Sequence, residues 1–399
     1  MAKLLPAVDW TRRADLAALI AAIGPDNARY VGGAVRDTLL GLPVKDIDIA
    51  TPLEPDEIIA RTQAAGIRTV PTGIAHGTVT AVLPSGPVEI TTLRRDVATD
   101  GRHATVAFAT AWRDDAARRD FTINALYADP ASAEISDFFG GLDDLTARRV
   151  RFIGDARTRI REDHLRILRY FRFQARFGSL PGDAEAEAAC AELAATLKGL
   201  SRERIGMEMM NLLGLPDPAP VVARMADLGV LAVILPEADA AALARLVAEE
   251  AVQAVAPDAL RRLAALLPAE PALAEHIAAR FRLSGAQKKR LALAAGRNED
   301  STNARALAYR LGVAAATDRL LLTGHSTEPL REWTVPVFPL KGGEIVAAGV
   351  TAGPEVARIL QQVQAQWVSQ GFPDAGRTAE LLREALTARA KSQGSVVDR

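Results

Sequence analysis

The hydrophobic pattern of this chain changes period once, near residue 142, and that change limits what it can fold into. Before it, short apolar and polar alternations that suit half-buried strands interleave with helical stretches. After it, strand signals nearly vanish. Helical patterns run on, broken at Gly178–Gly182, Gly214–Pro220, Pro236, Pro268–Pro271, Ser284-Gly285 and Pro336–Pro339. The expected fold is therefore α+β, a front unit with a mixed sheet and helices followed by an all-α array. At 399 residues, two to four folding units are expected. We divide the chain as a head (1–140), a helical neck (141–215), a helical body (216–300) and a helical tail (301–390).

Within the front unit, residues 11–23 read as an amphipathic helix. Arg29–Val31 reads as a strand entering Gly32-Gly33, and Ala34–Leu40 as a helix stopped by Gly41 and Pro43. Residues 44–50 alternate as a strand, 54–65 form a helix, and 76–83 and 87–94 are strand-like. The stretch 99–111 has no clean period and is expected to be a loop or hairpin.

The chemical centre is Lys45-Asp46-Ile47-Asp48-Ile49. On a strand Asp46 and Asp48 share one face while Ile47 and Ile49 enter the core. Adjacent carboxylates repel unless neutralised. Hard oxygen donors suit Mg²⁺, which assists in-line phosphoryl displacement. A solvated strand edge would share this alternation, so the residues upstream matter. Val31-Gly32-Gly33-Ala34 is a strand, a glycine pair and a helix start, a place where backbone N–H groups can approach a phosphate.

A glycine pair, a helix and then Asp-x-Asp resemble the polymerase-β-like nucleotidyltransferase superfamily. That resemblance implies a third carboxylate on a neighbouring strand, for which Glu89 is the candidate. Arg118-Arg119-Asp120-Phe121-Thr122-Ile123-Asn124-Ala125 is similar to a motif of class II tRNA nucleotidyltransferases and bacterial poly(A) polymerases. Arg119 can fork onto phosphate oxygens. Asp120 and Asn124, one turn apart if helical, can reach a ribose. Asp137–Leu145, with Gly140-Gly141, resembles the family's hinge between head and neck. Arg161-Glu162-Asp163-His164-Leu165-Arg166 resembles its nucleotide-selection motif, with His164 where Pro is usual. Asp163 and Arg166, three apart on one helix face, suit C and A. Both bases present an exocyclic amino donor beside a ring-nitrogen acceptor, whereas U and G present a carbonyl beside a ring N–H.

Ser201-Arg202-Glu203-Arg204 resembles the next motif, implying Arg202 and Arg204 as triphosphate or RNA contacts. Position 99–111 matches the family's flexible loop, with Arg102 and His103 as candidate contacts. Gly32, Gly33, Arg36 and Arg119 are expected to cradle the triphosphate, with Arg169 among the nucleotide-binding residues. The resemblance implies template-independent addition of C, C and A to tRNA from CTP and ATP. A poly(A) polymerase, CC- or A-adding specialists and an inactive tRNA-binding module are the alternatives.

Net charge is −1, so any nucleic-acid signal must be local. It lies between Arg148 and Arg176, where ten arginines face three acids. Tyr170, Phe171, Phe173 and Phe177 interleave with them and are better read as core. Cys190 stands alone, so no internal disulfide can form, and one cysteine with five histidines makes no typical zinc site. MAKLLPAVDW lacks an apolar leader pattern and nothing downstream spans a membrane, which points to a cytoplasmic protein without an obligate protein partner.

Overall fold

Leu16, Leu19, Ile20 and Ile23 recur along one stripe of α1 (Ala14–Ile23) and all four are buried, as the amphipathic spacing predicts. The computed structural model describes residues 3–100, 103–297 and 303–394. Contacts divide the chain into two compact units, Met1–Ala240 and Ala241–Arg399.

In the first unit a seven-stranded mixed sheet has the order β3-β4-β5-β2-β1-β8-β9. Its strands are β1 (Arg29–Val31), β2 (Ile47–Thr51), β3 (Thr69–Gly73), β4 (Thr78–Leu83), β5 (Gly86–Thr92), β8 (Leu126–Ala128) and β9 (Ile135–Asp137). All neighbours pair antiparallel except β2 and β5, which are parallel. Helices α2 (Gly33–Leu39), α3 (Pro55–Ala64) and α4 (Trp112–Ala117) accompany the sheet. No strand follows β9 among the described residues. The unit continues through α5 (Gly141–Thr146), α6 (Ala156–Glu162), α7 (Arg166–Phe177), α8 (Ala184–Leu193), α9 (Arg202–Leu213), α10 (Ala219–Asp227) and α11 (Val230–Ile234).

One strand boundary changes. Strand β2 starts at Ile47, not at residue 44. Its register sets Ile47 beside Val88; continuing it would set Asp46 against Pro87, which has no N–H to donate. The stretch 99–111, expected as a loop or hairpin, falls in a separate hairpin ribbon of β6 (Arg94–Asp100) and β7 (His103–Phe108). The register of this ribbon shifts once, between Asp96 and Ala98. Arg102 and the side chain of His103 lie outside the described residues.

The expected core aromatics are buried: Tyr170, Phe171, Phe173 and Phe177 on α7, with Phe121 and Phe152 against them. Cys190 is a buried thiol on α8. The second unit is wholly helical among its described residues, and Gly353-Pro354 opens a helix (Pro354–Ser369). Trp367, Ile359 and Val363 of that helix fill a core with Ile345 and Leu381. No helix of the described residues is long and apolar enough to cross a membrane.

The glycine pair Gly140-Gly141 does not sit as an open swivel. Asp137 accepts N–H groups from Phe139 (3.2 Å), Gly141 (2.9 Å) and Leu142 (2.9 Å). A Cβ added at Gly141 would collide with the Thr122 carbonyl. Asp144, fully buried, accepts from Thr122 Oγ1 at 2.6 Å and pairs with Arg149 and Arg151. This bolts the start of the neck to the Thr122–Asn124 turn. Asp144→Asn is expected to cost about 1–2 kcal/mol, discounted because both arginines are partly solvated; denaturant unfolding measures it, and an unchanged midpoint would refute the bolt.

Candidate active site

Strand β2 presents Asp48 on its open face and buries Ile47 and Ile49 on the other. Parallel pairing places Glu89 directly beside Asp48, between buried Val88 and Ile90. Asp46 is exposed, one residue ahead of the strand, rather than within it. The Asp48 carboxyl is pushed up to about 6, first by burial and then by Glu89 and Asp46, against an opposing pull from Arg119. Glu89 and Asp46 thus stand close enough to disfavour the charge of Asp48. Among the described residues no three acid, histidine or cysteine side chains converge as a ready-made metal cage. The donors fit an open oxygen site whose remaining ligands come from a nucleotide or solvent.

The cleft in front of Asp48 has a volume of about 500 Å³. Gly32 sits at its edge with φ +67° and ψ −119°, a conformation that only glycine tolerates well. An added Cβ there would lie 3.3 Å from Arg119 Nη1. Gly33 opens α2. Gly32→Ala should therefore displace Arg119 and strain the turn. We expect a drop of about tenfold or more in catalytic efficiency, and wild-type kinetics in that variant would refute the close approach.

Arg119 is held from behind by a residue that sequence reasoning missed. Asp115 of α4, 1 % exposed, accepts from Arg119 Nη2 (3.1 Å), Arg118 Nε (3.0 Å), Tyr127 Oη (2.6 Å) and the Arg94 backbone N–H (3.2 Å). Burial alone would raise its pKa, but Arg119, Arg118 and Tyr127 outweigh burial and hold it at about 2, against an ordinary 3.8. Because the folded pKa is depressed, Asp115 stabilises the fold fully above about pH 4. That contribution is lost as pH falls through about 2. The stability gap between wild type and Asp115→Asn should be widest near neutrality and close below pH 3; a pH-independent gap would refute the ion pairing. The i+3 and i+4 spacing of Arg118 and Arg119 was the local signal for Asp115; Tyr127 and the Arg94 N–H reach it only through the fold.

Arg36 lines the cleft but is mostly buried. It donates to Asp37 (Nε to Oδ1, 2.7 Å) and to Asn124 Oδ1, and packs over Phe177 at 4.1 Å. Asp120 and Asn124 are not on one α-helix: Asp120 precedes a 3₁₀ turn, Thr122–Asn124. They nevertheless meet, Asn124 Nδ2 donating to Asp120 Oδ1 at 2.9 Å. Phe121 N–H takes the same oxygen, and Arg169 Nε and Nη2 donate to Oδ2 at 2.9 and 2.6 Å. Those four N–H groups fill the carboxylate's acceptor capacity. Asp120 here orients Asn124 and Arg169 towards the cleft.

Asp163 and Arg166 do line one cleft, but not from a continuous helix. Asp163 is extended (φ −150°, ψ 105°) and ends α6, while Arg166 begins α7. The cause is local: the Asp163 side chain accepts from Leu165 N–H and its carbonyl from Arg166 N–H, starting a new helix in place of continuing the old. Asp163 Oδ2 accepts from Arg204 Nη2 at 2.8 Å. Arg166 donates to the Arg159 carbonyl (2.7 Å) and to Glu162. Arg204 therefore grips Asp163, and Arg202 is exposed on the first turn of α9, outside the cleft lining.

The basic belt between Arg148 and Arg176 is largely compensated. Arg149 and Arg151 pair with Asp144, Arg157 and Arg161 with Glu192, and Arg159 and Arg166 with Glu162. Arg169 pairs with Asp120, Arg172 with Glu208 and Arg176 with Asp37. Counting charges along the sequence had ignored acids brought in from other segments. Much of the belt braces the site, and the free phosphate-binding surface is smaller than the count implied.

Residues 28–151 match the family described as the poly A polymerase head domain. Residues 183–242 match the probable RNA and SrmB-binding site of polymerase A. The chain is 35 % identical over 363 residues to the mouse mitochondrial CCA tRNA nucleotidyltransferase 1, spanning 86 % of this chain and 83 % of that one. It is 35 % identical to the human protein over the same spans. The crystal structure of the Bacillus stearothermophilus CCA-adding enzyme with CTP superposes with a TM-score of 0.73 at 25 % identity, covering 94 % of this chain and 98 % of that one. The Thermotoga maritima CCA-adding enzyme complexed with tRNA gives 0.68 at 21 % identity, a likeness of fold, covering 94 % and 98 %.

Proposed function

Because this chain belongs to the CCA tRNA nucleotidyltransferase family, we propose that it extends the 3′ end of tRNA by C, C and A, using CTP and ATP and releasing pyrophosphate. The observation that carries the reading is that one cleft brings together Asp48, Arg119 and the pair Asp163 and Arg166. Reacting phosphate, triphosphate grip and base reader are then within one nucleotide's reach.

Asp46 and Asp48, with Glu89 beside them, would hold the divalent cation, Mg²⁺ in this reading, whose chemistry is to acidify the tRNA 3′-hydroxyl and neutralise the departing pyrophosphate. Gly32 and Gly33 let the backbone approach the triphosphate. Arg119, oriented by Asp115, forks onto its oxygens while Arg36 keeps Asn124 in place. Asn124 and Arg169, aligned by Asp120, donate to the ribose hydroxyls. Asp163 accepts from the exocyclic amino group of C or A, and Arg166 donates to the ring nitrogen. The head, neck, body and tail division at 140, 215 and 300 belongs to the same reading, with the tail holding the tRNA by its shape.

The test incubates the chain and Mg²⁺ with tRNA transcripts ending before CCA or after CC, and with an unstructured RNA. Each labelled NTP is supplied in turn. Incorporation of C, C and A that then stops is the expected result. Long A tails on any RNA would establish the polyadenylating alternative, and tRNA binding without incorporation an inert module.

A further inference from the structure

A buried carboxylate outside the nucleotide cleft sits at the end of the sugar-reading chain of contacts. Glu208 is 4 % exposed on α9, one turn beyond Arg204 and so on the same face of that helix. Its Oε2 accepts from Arg172 Nε at 2.6 Å, and its Oε1 lies 3.9 Å from Arg169 Nη1. Arg169 and Arg172 are three apart on α7, and both guanidinium groups lie near the Phe173 ring, at 5.6 and 4.8 Å. The opposite edge of Arg169 is held by Asp120.

We propose that Glu208 is a positioning residue for sugar choice: its charge, 3.9 Å from Arg169 Nη1, draws one end of the guanidinium while Asp120 bonds the opposite edge, and together they aim it at the ribose. A guanidinium bonded along one edge can still tilt about that edge, and a carboxylate charge near its far end biases the tilt to one side. Without the Glu208 charge, Arg169 and Arg172 repel across one turn of α7, and Arg169 swings about Asp120. The donor that distinguishes ribose from deoxyribose is then misplaced. Base choice runs through a separate contact, Arg204 to Asp163, one turn away on the same helix. The two selections therefore part at α9, sugar through Glu208 and base through Arg204.

This inference rests on the proposed assignment of the cleft, so its test uses ratios that do not require turnover. Affinities for ATP and dATP are measured by calorimetry with Mg²⁺ on the full chain, alongside CTP and UTP. Glu208→Gln, close in shape but uncharged, is expected to lower the ATP-over-dATP preference about tenfold and leave the CTP-over-UTP preference within twofold. In a variant carrying both Arg169→Lys and Glu208→Gln, the sugar preference should equal that of Arg169→Lys alone, as it must if Glu208 acts through Arg169. Should Glu208→Gln fail to fold, Glu208→Asp carries the test, with a smaller loss confined to the sugar ratio. An unchanged sugar ratio, or a parallel loss of both ratios, overturns the proposal. A wild-type chain that binds ATP over dATP but adds no nucleotide to tRNA would refute the parent function and leave this claim standing.

Discussion

Asp48→Ala is expected to abolish nucleotide addition, by at least about a thousandfold (roughly 4 kcal/mol or more), without unfolding the chain. Asp48 is the acid that faces the cleft, and its carboxylate stands beside Glu89 across the parallel β2–β5 pair. In the folded chain burial and its acidic neighbours raise its pKa above the ordinary carboxylate range. A carboxyl whose folded pKa is raised destabilises the fold once pH exceeds its unfolded value. Removing that charge should leave the thermal midpoint at neutral pH equal to or above that of wild type, because the substitution relieves repulsion. Asp48→Asn should behave alike, inactive and no less stable. A variant that is both inactive and markedly less stable would mean that Asp48 is a structural residue.

The second large effect is on fidelity. Asp163→Ala should lower the preference for CTP over UTP by about a hundredfold, and weaken tRNA binding less than tenfold. The argument is one of acceptors. Asp163 has an oxygen near the cleft and is held there by Arg204 at 2.8 Å. Cytosine and adenine offer this oxygen an amino donor, whereas uracil and guanine would set a carbonyl against it. The resulting unpaired, partly buried charge costs about 2–3 kcal/mol. With alanine that penalty disappears for the wrong bases. Steady-state incorporation of each NTP on a tRNA ending before CCA measures it, and an unchanged ratio would exclude Asp163 as the base reader.

What was legible in the sequence follows the range of the contact. The buried stripe of α1, the alternation of Ile47, Asp48 and Ile49, and the strand–glycine–helix turn at Gly32 are short-range patterns, and the structure keeps all three. The Asp163 break was missed because helical spacing across residues 161–166 is compatible with either one helix or two. The break is decided by a side-chain hydrogen bond to Leu165 N–H. Asp115 carried only the i+3 and i+4 spacing to Arg118 and Arg119, which any surface ion pair on a helix shares, while Glu208 left no signal, its arginine partners being brought near only by folding. The arginine belt failed for the same reason: Arg176 meets Asp37 across 139 positions and Arg169 meets Asp120 across 49.

The central claim is that the Asp46 and Asp48 carboxylates hold the cation against the incoming triphosphate. Anomalous scattering from crystals grown with Mn²⁺ and CTP tests it directly. The expected result is a manganese peak bonded to oxygens of Asp46 and Asp48 and of the triphosphate. A peak bound elsewhere, with those carboxylates turned away from the phosphates, would contradict it.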